Sequence, residues 1–270
     1  YYTGLYPLCV SGTSITLSSP NKNTQTNVIL IRGLFREKRH WGDFPEILAS
    51  YLTDCNIHCV EIPGTGELNQ LKTPASISGM LEAVRPQVPA RPPYVVIGLS
   101  MGGMIALQWA KRYPNDIQAV ICINTSKSAF SAFYERLKPE NYWTIVKALW
   151  QNIHQRESNI LKMVSNRKIK QQTLNDWISY AQQYPVSKLN FLRQLFSASR
   201  FRMHTAPDSR LLFITSSKDQ LVNSHSQSAM AKQWHANEIV NEEDGHDIAL
   251  DNPLWLSQVI AEFINQKKVR

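Results

Sequence analysis

The chain has 270 residues, 43% of them hydrophobic, and a formal net charge of +8 from 29 Lys and Arg against 21 Asp and Glu. That length buries a full core and still carries an insertion. No apolar run approaches the roughly 20 residues of a membrane-spanning helix, and Tyr1 to Val10 is too short for a signal peptide, although a chain beginning with Tyr rather than Met leaves a removed targeting segment open. The four cysteines, Cys9, Cys55, Cys59 and Cys122, lack disulfide-framework spacing, and Cys59 and Cys122 fall in predicted buried strands, so a reducing, cytoplasmic setting is expected.

From Leu8 to Asn124 strand-like and helix-like segments alternate. An opening hairpin is followed by the strand Asn27 to Ile31, a helix after Trp41, a core strand from Ile57 to Glu61 and a helix near Ile77. Pro92-Pro93 then leads into the β-branched run Tyr94 to Ile97, the turn Gly98-Leu99-Ser100-Met101-Gly102, and a helix through Met104, Leu107 and Trp109 that stops at Tyr113-Pro114. After the strand Ala119 to Ile123 the pattern breaks, and residues 125–205 contain only helical periodicity. Apolar stripes run through Tyr142, Ile145, Val146, Leu149, Trp150 and Ile153, through Leu174, Trp177, Ile178 and Ala181, and through Val186, Leu189, Leu192, Leu195 and Phe196. Alternation resumes with the strand Arg210 to Thr215, a helix from Ser224 to Trp234, a short strand Glu238 to Val240 and the loop Asn241 to Asp247. The order predicts an α/β protein: a mostly parallel, doubly wound sheet, with residues 1–124 and 206–270 forming the core and 125–205 a helical cap.

The turn at Ser100 reads as a nucleophile elbow: strand, tight turn, helix, with glycine at 98 and 102 where a side chain would crowd the backbone that presents the hydroxyl. Such a serine needs a base and an orienting acid at the ends of later strands. Asp219 follows the Arg210 strand in the polar loop Ser216 to Gln220, and His246 follows the Glu238 strand in Gly245-His246-Asp247. The order Ser100, Asp219, His246, each residue just past a strand, resembles the α/β-hydrolase superfamily. The resemblance covers the chain apart from its middle.

The resemblance further implies an oxyanion hole made by the backbone N–H of Met101 and that of Leu34. The latter lies in Arg32-Gly33-Leu34-Phe35, where relatives usually carry His-Gly and this chain has Arg32. It implies acyl transfer in two halves, in which His246 takes the Ser100 proton, Asp219 holds and stabilises the imidazole, and water then hydrolyses the acyl-enzyme. Among competing carboxylates, Asp208 precedes its strand. Asp247 and Asp251 lie too near His246 and read as backbone caps, and Asp244 belongs to the solvated cluster Glu242-Glu243-Asp244. His40, His58, His154, His204, His225 and His235 read as structural or exposed. Cys55, His58 and Cys59 have the look of metal ligands, but the Ile57 to Glu61 strand's alternation sends neighbours to opposite faces, so no metal site is expected. Pro63 to Glu67 lacks a phosphate-loop ending and reads as a tight loop near the site's rim. No cofactor is called for.

Charge concentrates in the insertion: residues 125–205 hold 13 Lys and Arg against four acids, and 12 of the 26 aromatics. This implies an apolar interior beneath a basic exterior, suited to a small-molecule acyl ester whose anionic carrier rests on the cap. Phe35, Trp143, Trp150 and Trp177 are the candidate substrate-binding side chains. The arrangement is similar to the cap of pimeloyl-acyl-carrier-protein methyl ester esterases, which implies an acidic acyl-carrier protein as partner; no nucleic-acid recognition motif is present. The expected activity is hydrolysis of a carboxylic ester or thioester. The same triad also serves acyltransferases and carbon-carbon bond hydrolases, and the same scaffold serves non-catalytic ligand binders.

Overall fold

The computed structural model describes residues 26–52, 54–126, 147, 150–168 and 170–266. The opening hairpin, Cys9, Trp143 and most of the first insertion stripe lie outside them. Among the described residues six strands form one sheet: β1 (Thr26–Ile31), β2 (Cys55–Val60), β3 (Tyr94–Leu99), β4 (Ile117–Ile123), β5 (Arg210–Ser216) and β6 (Asn237–Asn241). Their order is β2-β1-β3-β4-β5-β6 and every pairing is parallel. Parallel strands need crossovers that cover both faces, so the inner strands are apolar on both sides and read as continuous hydrophobic runs.

Alternation sorts those runs into two cores. Ile29, Ile31, Val96, Val120 and Phe213 face α2 (Ile77–Val84), α3 (Met101–Arg112) and α7 (His225–Gln233). Val28, Leu30, Ile97, Ile121 and Ile214 face α1 (Phe44–Tyr51) and α9 (Pro253–Asn265), which also pack on each other. β2 departs from expectation: it pairs only with β1 among the described strands, so Ile57 and Cys59 are half-buried rather than core. Cys55, Cys59 and Cys122 are free thiols. No described helix is long and apolar enough to cross a membrane.

Among the described residues three helices lie between β4 and β5: α4 (Ile153–Val164), α5 (Gln171–Gln183) and α6 (Lys188–Arg200). The first expected stripe does not continue into α4, because Asn152 accepts from the Gln155 amide at 2.9 Å and starts a new helix at Ile153. The second stripe is inward at Leu174 and Trp177. The third is divided, with Val186 and Leu195 lining a cavity while Leu189, Leu192 and Phe196 are exposed. The buried face of α6 is mixed: Phe191 packs edge-on against Phe35, with ring centres 5.3 Å apart, beside three polar side chains. Asn190 binds the Thr73 amide and the Leu71 carbonyl, Gln194 the Phe35 amide, and Ser197 the Pro74 carbonyl, so hydrogen bonds as well as Phe191 orient this helix.

The sheet reverses direction between β1 and β3, since the chain leaves β1 toward β2 and returns on β1's other side. The crevice beyond the carboxyl ends of two such strands is where open α/β sheets bind ligands. Buried Glu61, just past β2, braces the loop entering that crevice: its Oε1 accepts from the Lys38 amide at 3.2 Å and its Oε2 from Thr65 Oγ1 at 3.3 Å. Burial, aided by repulsion from Glu37, pushes this carboxyl up to about 7. A carboxyl raised in the fold favours the native state when protonated. Its contribution is present below about pH 4.5, the ordinary value, and is lost as pH rises toward 7. Glu61→Gln is therefore expected to gain about 2–3 kcal/mol on the parent protein between pH 5 and pH 8, measured as the pH dependence of the difference in urea unfolding free energy.

Candidate active site

β3 ends at Leu99, and Ser100 turns the chain into α3 with φ 57° and ψ −117°, a conformation costly for a residue with a side chain. Its amide donates to the Ile123 carbonyl at 2.8 Å, and its carbonyl accepts from Gly103 N at 3.1 Å. A Cβ at Gly98 would overlap the Gly102 backbone, and one at Gly102 would overlap the Ile31 carbonyl oxygen. Only glycines allow strand, turn and helix to cross this closely. Met101 is the first residue of α3, so its N–H has no intrahelical acceptor and belongs to the positive end of the helix.

The loop after β1 meets this turn from the side, with Gly33 against Ser100. Phe35 adopts φ 65° and donates its amide to Gln194 Oε1 at 2.9 Å, fixing the backbone around Leu34. Arg32 explains its own departure from the histidine of the resembled family. It is 2% exposed and binds Asp247 with both terminal nitrogens, at 2.5 and 3.3 Å, while its guanidinium lies 4.6 Å from the Trp41 ring. Asp247 also caps the short helix α8 (Ile248–Asp251) through the Leu250 amide. One ion pair thus joins the Leu34 loop to the loop carrying His246.

His246 and Asp219 are both buried, and His246 Nδ1 lies 2.6 Å from Asp219 Oδ2. The other carboxylate oxygen accepts from the amides of Leu221 and Val222 at 2.8 and 2.9 Å, which fixes the acid's orientation. His246 and Ser100 line one cavity of about 560 Å³, together with Leu34, Met101, Phe35 and Trp150. The structure therefore brings Ser100, His246 and both candidate amides to one cavity, with Asp219 behind the imidazole.

Two supports of this arrangement escaped sequence reasoning. Asn124, just past β4, donates to the His246 carbonyl at 2.8 Å and accepts from the Ser216 amide at 2.7 Å, joining the ends of β4 and β5 to the histidine loop. Its φ of 46° suits an asparagine in a tight turn, the one sequence signal available. The second support is the turn after α4. Its Val164 carbonyl accepts from the Asp247 amide at 2.8 Å, and Asp251 Oδ2 accepts from the amides of both Asn166 and Gly245. The Asn166 side chain donates to the Lys218 carbonyl and accepts from Gln220. Asp251 thus bridges two loops and is not a helix cap. Asp244 is likewise no solvated acid: fully buried, it binds Asn241 and the Arg167 guanidinium.

Among the aromatic candidates Trp177 is a correction. It does not line the cavity but lies buried under α5, edge-on to His40 at 5.1 Å and 4.3 Å from the Arg36 guanidinium, whose charge attracts the ring face. Burial, with the charges of Arg36 and Arg32, holds His40 well below the ordinary histidine value, and its Nε2 accepts from Arg36 at 3.1 Å. The Pro63 to Glu67 loop does not line the cavity either. It meets Thr73 and α6, where Thr73 Oγ1 donates to the Pro63 carbonyl. Among the described residues no cluster of His, Cys, Asp and Glu is arranged to hold a metal ion.

Six parallel strands wrapped by helices, with a serine at the sharp turn after β3 and an Asp–His pair after β5 and β6, define a class. Residues 26–253 match the model of the alpha/beta hydrolase fold family, and the chain belongs to that family. It is 23% identical over 259 residues to monoacylglycerol lipase ABHD6 of Homo sapiens, covering 88% of this chain and 75% of that protein. Among solved structures it is similar to the enol-lactonase from Burkholderia xenovorans LB400, with a TM-score of 0.73, 15% identity and coverage of 92% and 94% of the two chains. It is also similar to an esterase from Exiguobacterium antarcticum, with a TM-score of 0.67, 16% identity and coverage of 89% and 92%.

Removing one partner of the Arg32–Asp247 pair leaves a buried, uncompensated charge. Arg32→Met and Asp247→Leu are each expected to cost about 3–5 kcal/mol, and the double variant to recover most of that loss, measured as a double-variant cycle of urea unfolding free energies.

Proposed function

We propose that the protein is a serine hydrolase that cleaves a carboxylic ester or thioester through an acyl-enzyme on Ser100. One observation carries the reading: a serine held at positive φ on the carboxyl edge of the sheet shares a cavity with a histidine whose Nδ1 lies 2.6 Å from a buried carboxylate. In this reading Asp219 fixes the tautomer of His246, leaving Nε2 to take the Ser100 proton as the hydroxyl attacks the carbonyl carbon. The amides of Met101 and Leu34 receive the oxyanion, His246 returns the proton to the leaving group, and water repeats the cycle on the acyl-enzyme. The names of the similar proteins, a lipase, a lactonase and an esterase, support ester chemistry. Helices α4 to α6 act as a cap over the apolar cavity, and the surplus of basic residues in 125–205 serves an acidic carrier such as an acyl-carrier protein. The setting is cytoplasmic.

A fluorophosphonate probe is expected to label the protein and not Ser100→Ala, with hydrolysis of p-nitrophenyl esters lost in step. Asp219→Asn keeps the geometry but frees the imidazole to take the wrong tautomer, and is expected to lower kcat by about 10⁴-fold. A parent protein that neither labels nor turns over any chain length overturns the assignment.

A further inference from the structure

Among the described residues, the cavity carries more positive charge than its surroundings neutralise. Among the described residues its lining holds Arg32, Arg36, Arg156 and Lys188 but one acid, Asp247, which is committed to Arg32. Behind the wall, fully buried Glu157 serves two arginines. Its Oε2 accepts from Arg36 Nη1 at 2.7 Å, and its Oε1 from Arg156 Nε at 3.0 Å.

One carboxylate between two guanidinium groups leaves one positive charge, and Lys188 adds a second. The Lys188 ammonium lies 3.9 Å from the Trp150 ring centre, with no acid against it among the described residues. Arg156 uses only Nε toward Glu157, so its two terminal nitrogens carry no protein partner among the described residues, and its side chain is 16% exposed. Arg36 Nη2 is buried and likewise unpartnered. The Arg156 guanidinium is placed by the Phe35 ring, 5.0 Å away, one residue beyond the Leu34 amide. A poorly hydrated guanidinium with both terminal nitrogens free is a two-point receiver for an anionic oxygen group, and a low dielectric strengthens that contact.

We propose that the cavity binds an ester bearing a second, anionic group, which Arg156 receives while Lys188 supplies further attraction at the mouth. Carboxylate and phosphate share this chemistry, and the group can reside on the acyl chain or on the alcohol. The proposal rests on the hydrolase reading for its reaction but not for its binding site.

Two arms of one experiment separate these sources. In the acyl arm, p-nitrophenyl half-esters of adipic and suberic acid are compared with p-nitrophenyl hexanoate and octanoate. In the alcohol arm, 1-hexanoylglycerol 3-phosphate is compared with 1-hexanoylglycerol. The charged member of one arm is expected to be preferred at least 10-fold in kcat/KM, with the ratio falling at least 5-fold in Arg156→Gln, partly restored in Arg156→Lys, and falling less in Lys188→Gln. Calorimetry on Ser100→Ala with adipate and with glycerol 3-phosphate reads binding without turnover, and one of them is expected to bind at least 10-fold more weakly once Arg156→Gln is added. Lys188→Gln changes an exposed side chain and keeps the test decisive if Arg156→Gln fails to fold. Turnover of neutral esters with no charged preference in either arm overturns this proposal and leaves hydrolysis standing. Arg156-dependent binding of an anion without turnover upholds the site and overturns the hydrolase reading. Absence of both overturns the two together.

Discussion

Helix α3 runs almost into the end of β1. At Gly102 the backbone passes so near the Ile31 carbonyl that no Cβ fits between them, and Gly98 passes as closely beneath Gly102. This crossing puts the Ser100 turn, the Met101 amide and the Leu34 loop within one small volume, because β1 and β3 are adjacent strands whose connections leave in opposite directions. A parallel sheet with this reversal opens a crevice at the site end by topology alone. The glycines convert that crevice into a place where one hydroxyl and the first amide of a helix face the same space.

The rest of the site is held by polar contacts between loops, each from a separate strand end. Asn124 reaches from β4 to the β5 end and to His246, Asp247 reaches from the histidine loop to Arg32, and Asp251 reaches from α8 to the turn after α4. These side chains are buried or half-buried, where an unmatched polar group is expensive, so they fix unique positions more sharply than apolar packing does. The same economy governs α6, which presents Asn190, Gln194 and Ser197 inward beside Phe191 and leaves Leu189, Leu192 and Phe196 outward.

Much of this was legible in the chain. The apolar runs of β1, β3, β4 and β5 declared a sheet buried on both faces, and the Gly98 to Gly102 spacing declared the turn, because only close backbone approach demands glycine there. What sequence could not supply were contacts whose partners are far apart in number. Asp244 looked solvated beside Glu242 and Glu243, yet Arg167 and Asn241 enclose it. Trp177 looked like a cavity wall by its stripe, but a cation 141 positions earlier in the chain, Arg36, draws it elsewhere. The third stripe divided between cavity and solvent, because periodicity identifies a helix and two faces without saying which face can satisfy a neighbour's backbone. Arg32 was visible as a departure from its family, while its partner Asp247, 215 positions away, was visible only as a cap.

The carboxyl end of α4 and the turn after it bind the acid loop at Lys218 and Gln220 and the histidine loop at Asp244 and Asp247. Helix α4 is therefore fastened, at its carboxyl end, to both segments that carry the Asp–His pair. The insertion is not an interchangeable module seated on a finished core. Exchanging it for the equivalent segment of another family member would remove the brace of the two loops beneath it, so its sequence and theirs are constrained to change together.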